Sequence, residues 1–154
     1  MKAFPLIVFL LVIVFSTVAQ AAPELVVRSG SKVLVLDRDE LETFPQTTVT
    51  TSSPYYDGTV EFTGPTLKRV LDTFGIDDQT QLTLRALNDY QVKGTLAEVL
   101  ELDAIIATRM DGRNMSVRNR GPFWIILPLS ERPELDHGDY HRFMVWQLDQ
   151  IELN

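Results

Sequence analysis

PFWIILP, residues 122–128, does most to narrow what this chain can fold into. It is an apolar run of strand length closed by a proline at each end, and it lacks the polar alternation of a half-exposed strand. A run of this kind reads as a strand covered on both faces, so the segments around it must supply layers on either side. Those segments are short. ELVVRSGSKVLVLD (24–37) reads as a β-hairpin turning at Ser29-Gly30-Ser31. DRDELETF (37–44) reads as a short helix capped by Asp37 or Asp39 and stopped by Pro45. Residues 47–53 and 59–64 are strand-like, as are 82–87 and 90–94 on either side of an Asn88-Asp89 turn.

PTLKRVLDTFG (65–75) has Leu67, Val70, Leu71 and Phe74 on one helical face, with Pro65 near the first helical position and Gly75 at the left-handed stop. TLAEVLEL (95–102) starts with Thr95 and Glu98 at capping-box spacing. AIIATR (104–109) is a strand leading to a turn at Met110-Asp111-Gly112, and the alternation of WQLDQIEL (146–153) slips near Asp149-Gln150, which predicts a bulge. Strands and short helices interleave without regular βαβ order. The expected class is α+β, a mixed and mainly antiparallel sheet with short helices.

The first 21 of the 154 residues stand apart. Lys2 precedes an apolar run from Phe4 to Val18, followed by Ala19-Gln20-Ala21. This is the layout of a secretory signal peptide, and the apolar run is shorter than the ~20 residues of a spanning helix. The expectation is a leader, 1–21, removed after Ala21, and a single domain over 22–154, periplasmic or secreted, whose tie to a membrane is the leader before cleavage. The chain carries a net charge of -7, more acidic still without Lys2, which argues against a nucleic-acid partner. It has no cysteine. Thiolate nucleophiles, iron–sulfur clusters and thiolate-held metals are therefore excluded, and stability must come from the core rather than from disulfides.

Two groups of residues have ligand-binding chemistry. Arg109, Arg113, Arg118 and Arg120 lie close together beside a Gly121-Pro122 corner. Guanidinium forks match phosphate, sulfate or carboxylate, and a glycine lets backbone N–H groups approach a ligand; the same arginines could instead pair with the chain's own carboxylates. His137 and His141 have the i, i+4 spacing of metal ligands, but Gly138 weakens the helix and no Glu lies between them, so a surface loop with His141 lining a pocket is the expected arrangement. Ser52 and Ser53 lack His-Asp partners at any recognisable spacing. Tyr55, Tyr56 and Trp124 could form an aromatic platform, with the core as the expected place for Trp124.

Three pieces taken in order, FTGPTLKRVLDTFG (62–75), LRALNDYQVKGTLAEVL (84–100) and IIATRMDGRNMSVRNRGPFWIILP (105–128), resemble the molybdopterin-binding domain of the sulfite oxidase type. The resemblance rests on the Phe62-x-Gly64-x-x-Leu67 helix start, the Asp-Tyr turn, the Asp-Gly hairpin, the Gly-Pro corner and the apolar strand ending at Pro128. It implies that fold, a molybdopterin cofactor and oxidoreductase ancestry. Enzymes of that type hold molybdenum through one cysteine in the strand before the helix. Here Thr51, Ser52 and Ser53 occupy that region, and a hydroxyl is a poorer ligand for such a metal than a thiolate. After the Gly-Pro corner, where the enzymes place an arginine, this chain has Phe123-Trp124.

The expectation is therefore a module without catalytic residues, metal ligands or bound cofactor, serving a binding, accessory or sensory role. Its cleft would be formed by Asn88, Asp89, Tyr90, Arg109, Arg118, Arg120, Gly121, Pro122 and His141. It would take a small anion, a pterin-like ligand or a periplasmic protein partner. The alternatives are a molybdopterin-dependent oxidoreductase and a pure interaction partner of a membrane sensor.

Overall fold

The structure, a computed structural model, describes residues 21–154 apart from residues 76 and 78. The expected leader, 1–21, lies outside the described residues but for Ala21. No described helix is long and apolar enough to cross a membrane.

In chain order the strands are β1 Leu25–Ser29, β2 Lys32–Leu36, β3 Gln46–Ser53, β4 Tyr56–Pro65, β5 Gln81–Ala86, β6 Gln91–Thr95, β7 Ile105–Ala107, β8 Arg109–Met110, β9 Arg113–Asn114, β10 Trp124–Ile126 and β11 Leu148–Leu153. The helices are α1 Arg38–Thr43, α2 Leu67–Leu71, α3 Leu96–Leu100 and α4 Gly138–His141. They form a five-stranded sheet ordered β2-β1-β11-β5-β6, a four-stranded sheet ordered β3-β4-β8-β9, and the pair β10-β7. Every pairing is antiparallel except β1 with β11. This is the mixed, mainly antiparallel α+β arrangement that the sequence predicts.

Local chemistry explains most element ends. Asp37 caps α1 by accepting from the Glu40 N–H, while the Glu40 carboxylate accepts from the Asp37 N–H, a complete capping box. Thr95 caps α3 through Glu98 N–H at 3.2 Å, but Glu98 does not reach back; its carboxylate takes a hydrogen bond from Arg142 at 3.1 Å instead. Asp111 and Gly112, at φ 49° and 72°, form the tight β8-β9 turn. The predicted bulge is present: the β11-β5 register shifts between Leu148 and Gln150. The intervening Asp149 has its Oδ1 buried without a partner, and burial raises its carboxyl pKa.

The helix expected over 65–75 is corrected. Pro65 ends β4, opposite Gln46, and Thr66 is the cap, its hydroxyl accepting from the Arg69 N–H. α2 proper spans Leu67–Leu71 and tightens into a 3-10 turn over Asp72–Phe74 before Gly75, at φ 60°.

The doubly covered strand is confirmed, since residues 121–129 are all buried. Trp124 is fully buried, its ring meeting Phe62 at 5.4 Å, Tyr56 at 6.0 Å and Trp146 at 6.4 Å, all edge-on. Its Nε1 donates to the Met144 carbonyl at 3.1 Å. Trp124 is thus a core anchor joining β10 to β4 and to the segment before β11.

Candidate functional site

At the corner between β3 and β4, the backbone slips register between Thr51 and Ser53, turning Thr51 fully inward. Thr51 Oγ1 accepts from the Ser130 N–H at 3.0 Å and lies 3.0 Å from the Ser52 carbonyl, to which it donates. The Ser52 N–H donates to Ser130 Oγ at 2.9 Å, and the two serine hydroxyls meet at 3.2 Å. Ser53 Oγ accepts from the Tyr55 N–H. The Thr51 carbonyl accepts from the Tyr56 hydroxyl at 2.9 Å, and burial pushes the Tyr56 pKa up to about 12. The hydroxyls of 51–53 therefore form a closed clasp between β3 and the segment after β10. Thr51→Val would leave the Ser130 N–H unmatched in a confined position. A loss of about 1–3 kcal/mol in urea unfolding is expected, whereas Thr51→Ser keeps the acceptor and should cost less.

The arginines part company. Arg109 forks onto Glu42, Nε to Oε1 at 2.8 Å and Nη2 to Oε2 at 2.9 Å, and Thr108 Oγ1 adds a bond to the same carboxylate at 3.1 Å. Arg109 is thus paired with a carboxylate of its own chain, away from Asn88 and Tyr90. The hydrogen bond from Arg109 is the largest influence on Glu42 and holds its pKa below the ordinary value of 4.5. The pair therefore supports the fold above that value, and its support is lost as pH falls through the lowered one. Glu42→Gln should lower the melting temperature at pH 7, and the gap from wild type should narrow as the pH falls below the ordinary carboxylate range.

Arg113 and Arg118 are exposed and have no carboxylate partner among the described residues. Arg120 adopts a left-handed φ of 63°. Its guanidinium lies 5.3 Å from the Trp124 ring centre and 5.9 Å from that of Trp146, and its Nη2 donates to the Tyr55 carbonyl at 2.6 Å. Gly121 and Pro122, joined by a cis peptide bond, are buried. The Gly121 N–H donates to the Ser116 carbonyl, and the missing side chain makes room for Met115. The expected approach of that corner to a ligand is corrected: its close neighbour is its own chain.

Three of the predicted residues do meet. Tyr55, Asn88, Tyr90, His141, Met144 and Trp146 line a cavity of about 170 Å³ between the β3-β4 corner, the β5-β6 hairpin and the α4–β11 segment. Asp89 instead makes the hairpin turn at φ 65°, its N–H donating to Ala86. The expected single cleft is therefore divided: Asn88, Tyr90 and His141 border this cavity, Arg120 braces its Trp146 wall, and Arg109, Arg118 and the Gly-Pro corner are elsewhere. Met144 and Trp146 escaped prediction because the alternation at Trp146 and Leu148 marks only an inward face and does not say which cavity it meets. His137 accepts from the Asp139 N–H as the cap of α4, while His141 Nε2 meets Asp136 Oδ1 at 2.7 Å. The histidines turn to separate partners, and among the described residues no three His, Cys, Asp or Glu side chains are grouped to hold a metal.

The family model of the oxidoreductase molybdopterin binding domain matches residues 24–130. The chain belongs to that family. Its fold is similar to a chain of the sulfane dehydrogenase SoxCD from Paracoccus pantotrophus, with a TM-score of 0.61 and 15% identity over 85% of this chain. The match spans 38% of the SoxCD chain, so it speaks to fold alone. No curated protein matches by sequence. The family binds molybdopterin, yet the donor set of this member does not fit molybdenum gripped through sulfur. The chain has no cysteine, and the hydroxyls at 51–53 already have partners. The cavity, at about 170 Å³, is of the size that accepts a single ring, a cavity of roughly 150 Å³ being enough for benzene.

Proposed function

We propose that this member of the family is a non-catalytic binding module that acts after export, in the periplasm or outside the cell. The observation that carries the reading is the Thr51–Ser52–Ser130 clasp. Where the sulfite oxidase type presents a sulfur to the metal, this chain presents hydroxyls committed to holding two segments together. A neutral hydroxyl neither matches a thiolate's affinity for a soft metal nor is free to turn toward one. The framework of the domain is retained, so recognition rather than electron transfer is the role it supports. The leader-like residues 1–21 support export.

The test is molybdenum content. The protein, purified from its native export route, is expected to contain far less than one molybdenum atom per chain by elemental analysis, and its intact mass should begin at Ala22. A stoichiometric metal signal would overturn the reading in favour of a working oxidoreductase.

A further inference from the structure

The cavity beside Trp146 has a composition that selects its ligand. Its walls are rings: Tyr55 and Trp146 meet edge-on at 5.2 Å, and His141 lies 6.4 Å from Tyr55 at a steep angle. Tyr55 donates its hydroxyl to the His141 carbonyl and Tyr90 donates to the Arg142 carbonyl, both at 3.2 Å. Those two bonds tie the β3-β4 corner and the β5-β6 hairpin to the same short segment, so the rings are held apart before any ligand arrives. Such preorganisation lowers the cost of binding.

The cations nearby already have partners. Arg142, on the wall, donates to the Asp139 carbonyl, the Lys93 carbonyl and Glu98. His141 is held by Asp136. Arg120 is committed to the Tyr55 carbonyl and two indole faces. Among the described residues that line the cavity, no cation lacks a partner to draw an anion inward, and there is no carboxylate to draw a cation. The remaining polar handle is at the rim: Asn88 uses its Oδ1 to accept from the Tyr90 N–H, and its amide NH₂ has no partner among the described residues.

We propose that this cavity binds one uncharged aromatic ring, seated among Tyr55, Tyr90, His141 and Trp146, with an acceptor substituent turned outward to the Asn88 amide. The proposal rests on the binding-module reading and names its ligand class: a neutral monocyclic aromatic compound rather than a small anion. A cavity of about 170 Å³ takes one ring and leaves larger substituents in solvent.

The test uses fluorine NMR on the full chain with three probes of one shape: 4-fluorobenzamide, 4-fluorobenzoate and 4-fluorobenzylammonium. The amide is expected to broaden and shift on addition of protein. The two charged probes should bind at least about fivefold more weakly, because each would bring an uncompensated charge against apolar walls. Trp146→Ala should weaken the amide about tenfold, and Tyr90→Ala about threefold, through loss of ring contact. Tyr90 is 47% exposed, so its substitution reads binding even if Trp146→Ala fails to fold. Arg118→Ala should change nothing.

Benzoate binding as tightly as the amide would overturn the proposal, as would silence of the amide at millimolar concentration or binding indifferent to both ring substitutions. Each of those results leaves the molybdenum measurement untouched. Conversely, a metal-loaded chain would defeat the functional reading whatever the probes do.

Discussion

Gly64→Ala is expected to cost the domain at least about 3 kcal/mol, above the usual range for overpacking because the obstacle is backbone. Gly64 lies in β4, buried, directly against β7. A Cβ there would fall on the Ile106 carbonyl oxygen, 2.7 Å from its carbon and 2.9 Å from Ala107 Cα. These atoms cannot swing aside as a flexible side chain would. β7 is paired to β10 along Ile105–Ala107, the Thr108 N–H donates to the Thr63 carbonyl, and the Leu67 N–H donates to Ala104. A shift of β7 would therefore break bonds on both sides of it. Total stability of a domain this size is roughly 5–15 kcal/mol, so the variant should either fail to accumulate or unfold at much lower urea. Gly138→Ala is the control, since a Cβ at that position has open space. If both variants had the same urea midpoint, the close packing of β4 on β7 would be wrong.

The second large effect is at Trp124. Trp124→Ala should cost about 3–5 kcal/mol, the range for truncating a fully buried large aromatic. The indole fills the junction of Tyr56, Phe62 and Trp146, and removing it leaves a void lined by three rings. Trp124→Phe separates packing from polarity. It keeps a ring but leaves the Met144 carbonyl without its donor, and a loss of about 1–3 kcal/mol is expected. Equilibrium unfolding followed by the remaining Trp146 fluorescence gives both values. A change below about 1 kcal/mol for Trp124→Ala would show that the core closes around the gap.

The two substitutions bear on different kinds of information. Gly64 belongs to the Phe62-x-Gly64-x-x-Leu67 pattern that marks the family in the sequence, and the structure supplies its reason: two backbones pass where a methyl group would stand. Trp124 is legible as core from its place in an unbroken apolar run. Its hydrogen bond to Met144 is not legible, because nothing local announces a partner on the far side of α4. Pro65 shows the opposite failure. Its preference for a first helical turn is real, but pairing with Gln46 keeps it in β4, and Thr66 takes over as cap. The arginines show a third case. Their spacing made one cationic patch plausible, yet Glu42 claims Arg109 and two indoles claim Arg120.

What the sequence determined by itself is whatever neighbouring residues decide among themselves: the Asp37–Glu40 capping box, the Thr95 cap, the Asp111-Gly112 turn, the slip at Asp149 and the doubly covered strand at 124–126. These depend on steric and hydrogen-bonding preferences that operate over three or four positions. The absence of cysteine is equally a fact of sequence. Only the tertiary structure decided that Tyr55, Tyr90, His141 and Trp146 enclose one space, and that the hydroxyl at Thr51 closes on Ser130. Those contacts join residues far apart along the chain, and they form because burying the apolar faces of the three sheets brings their ends together. No short-range preference specifies which distant side chains will meet there.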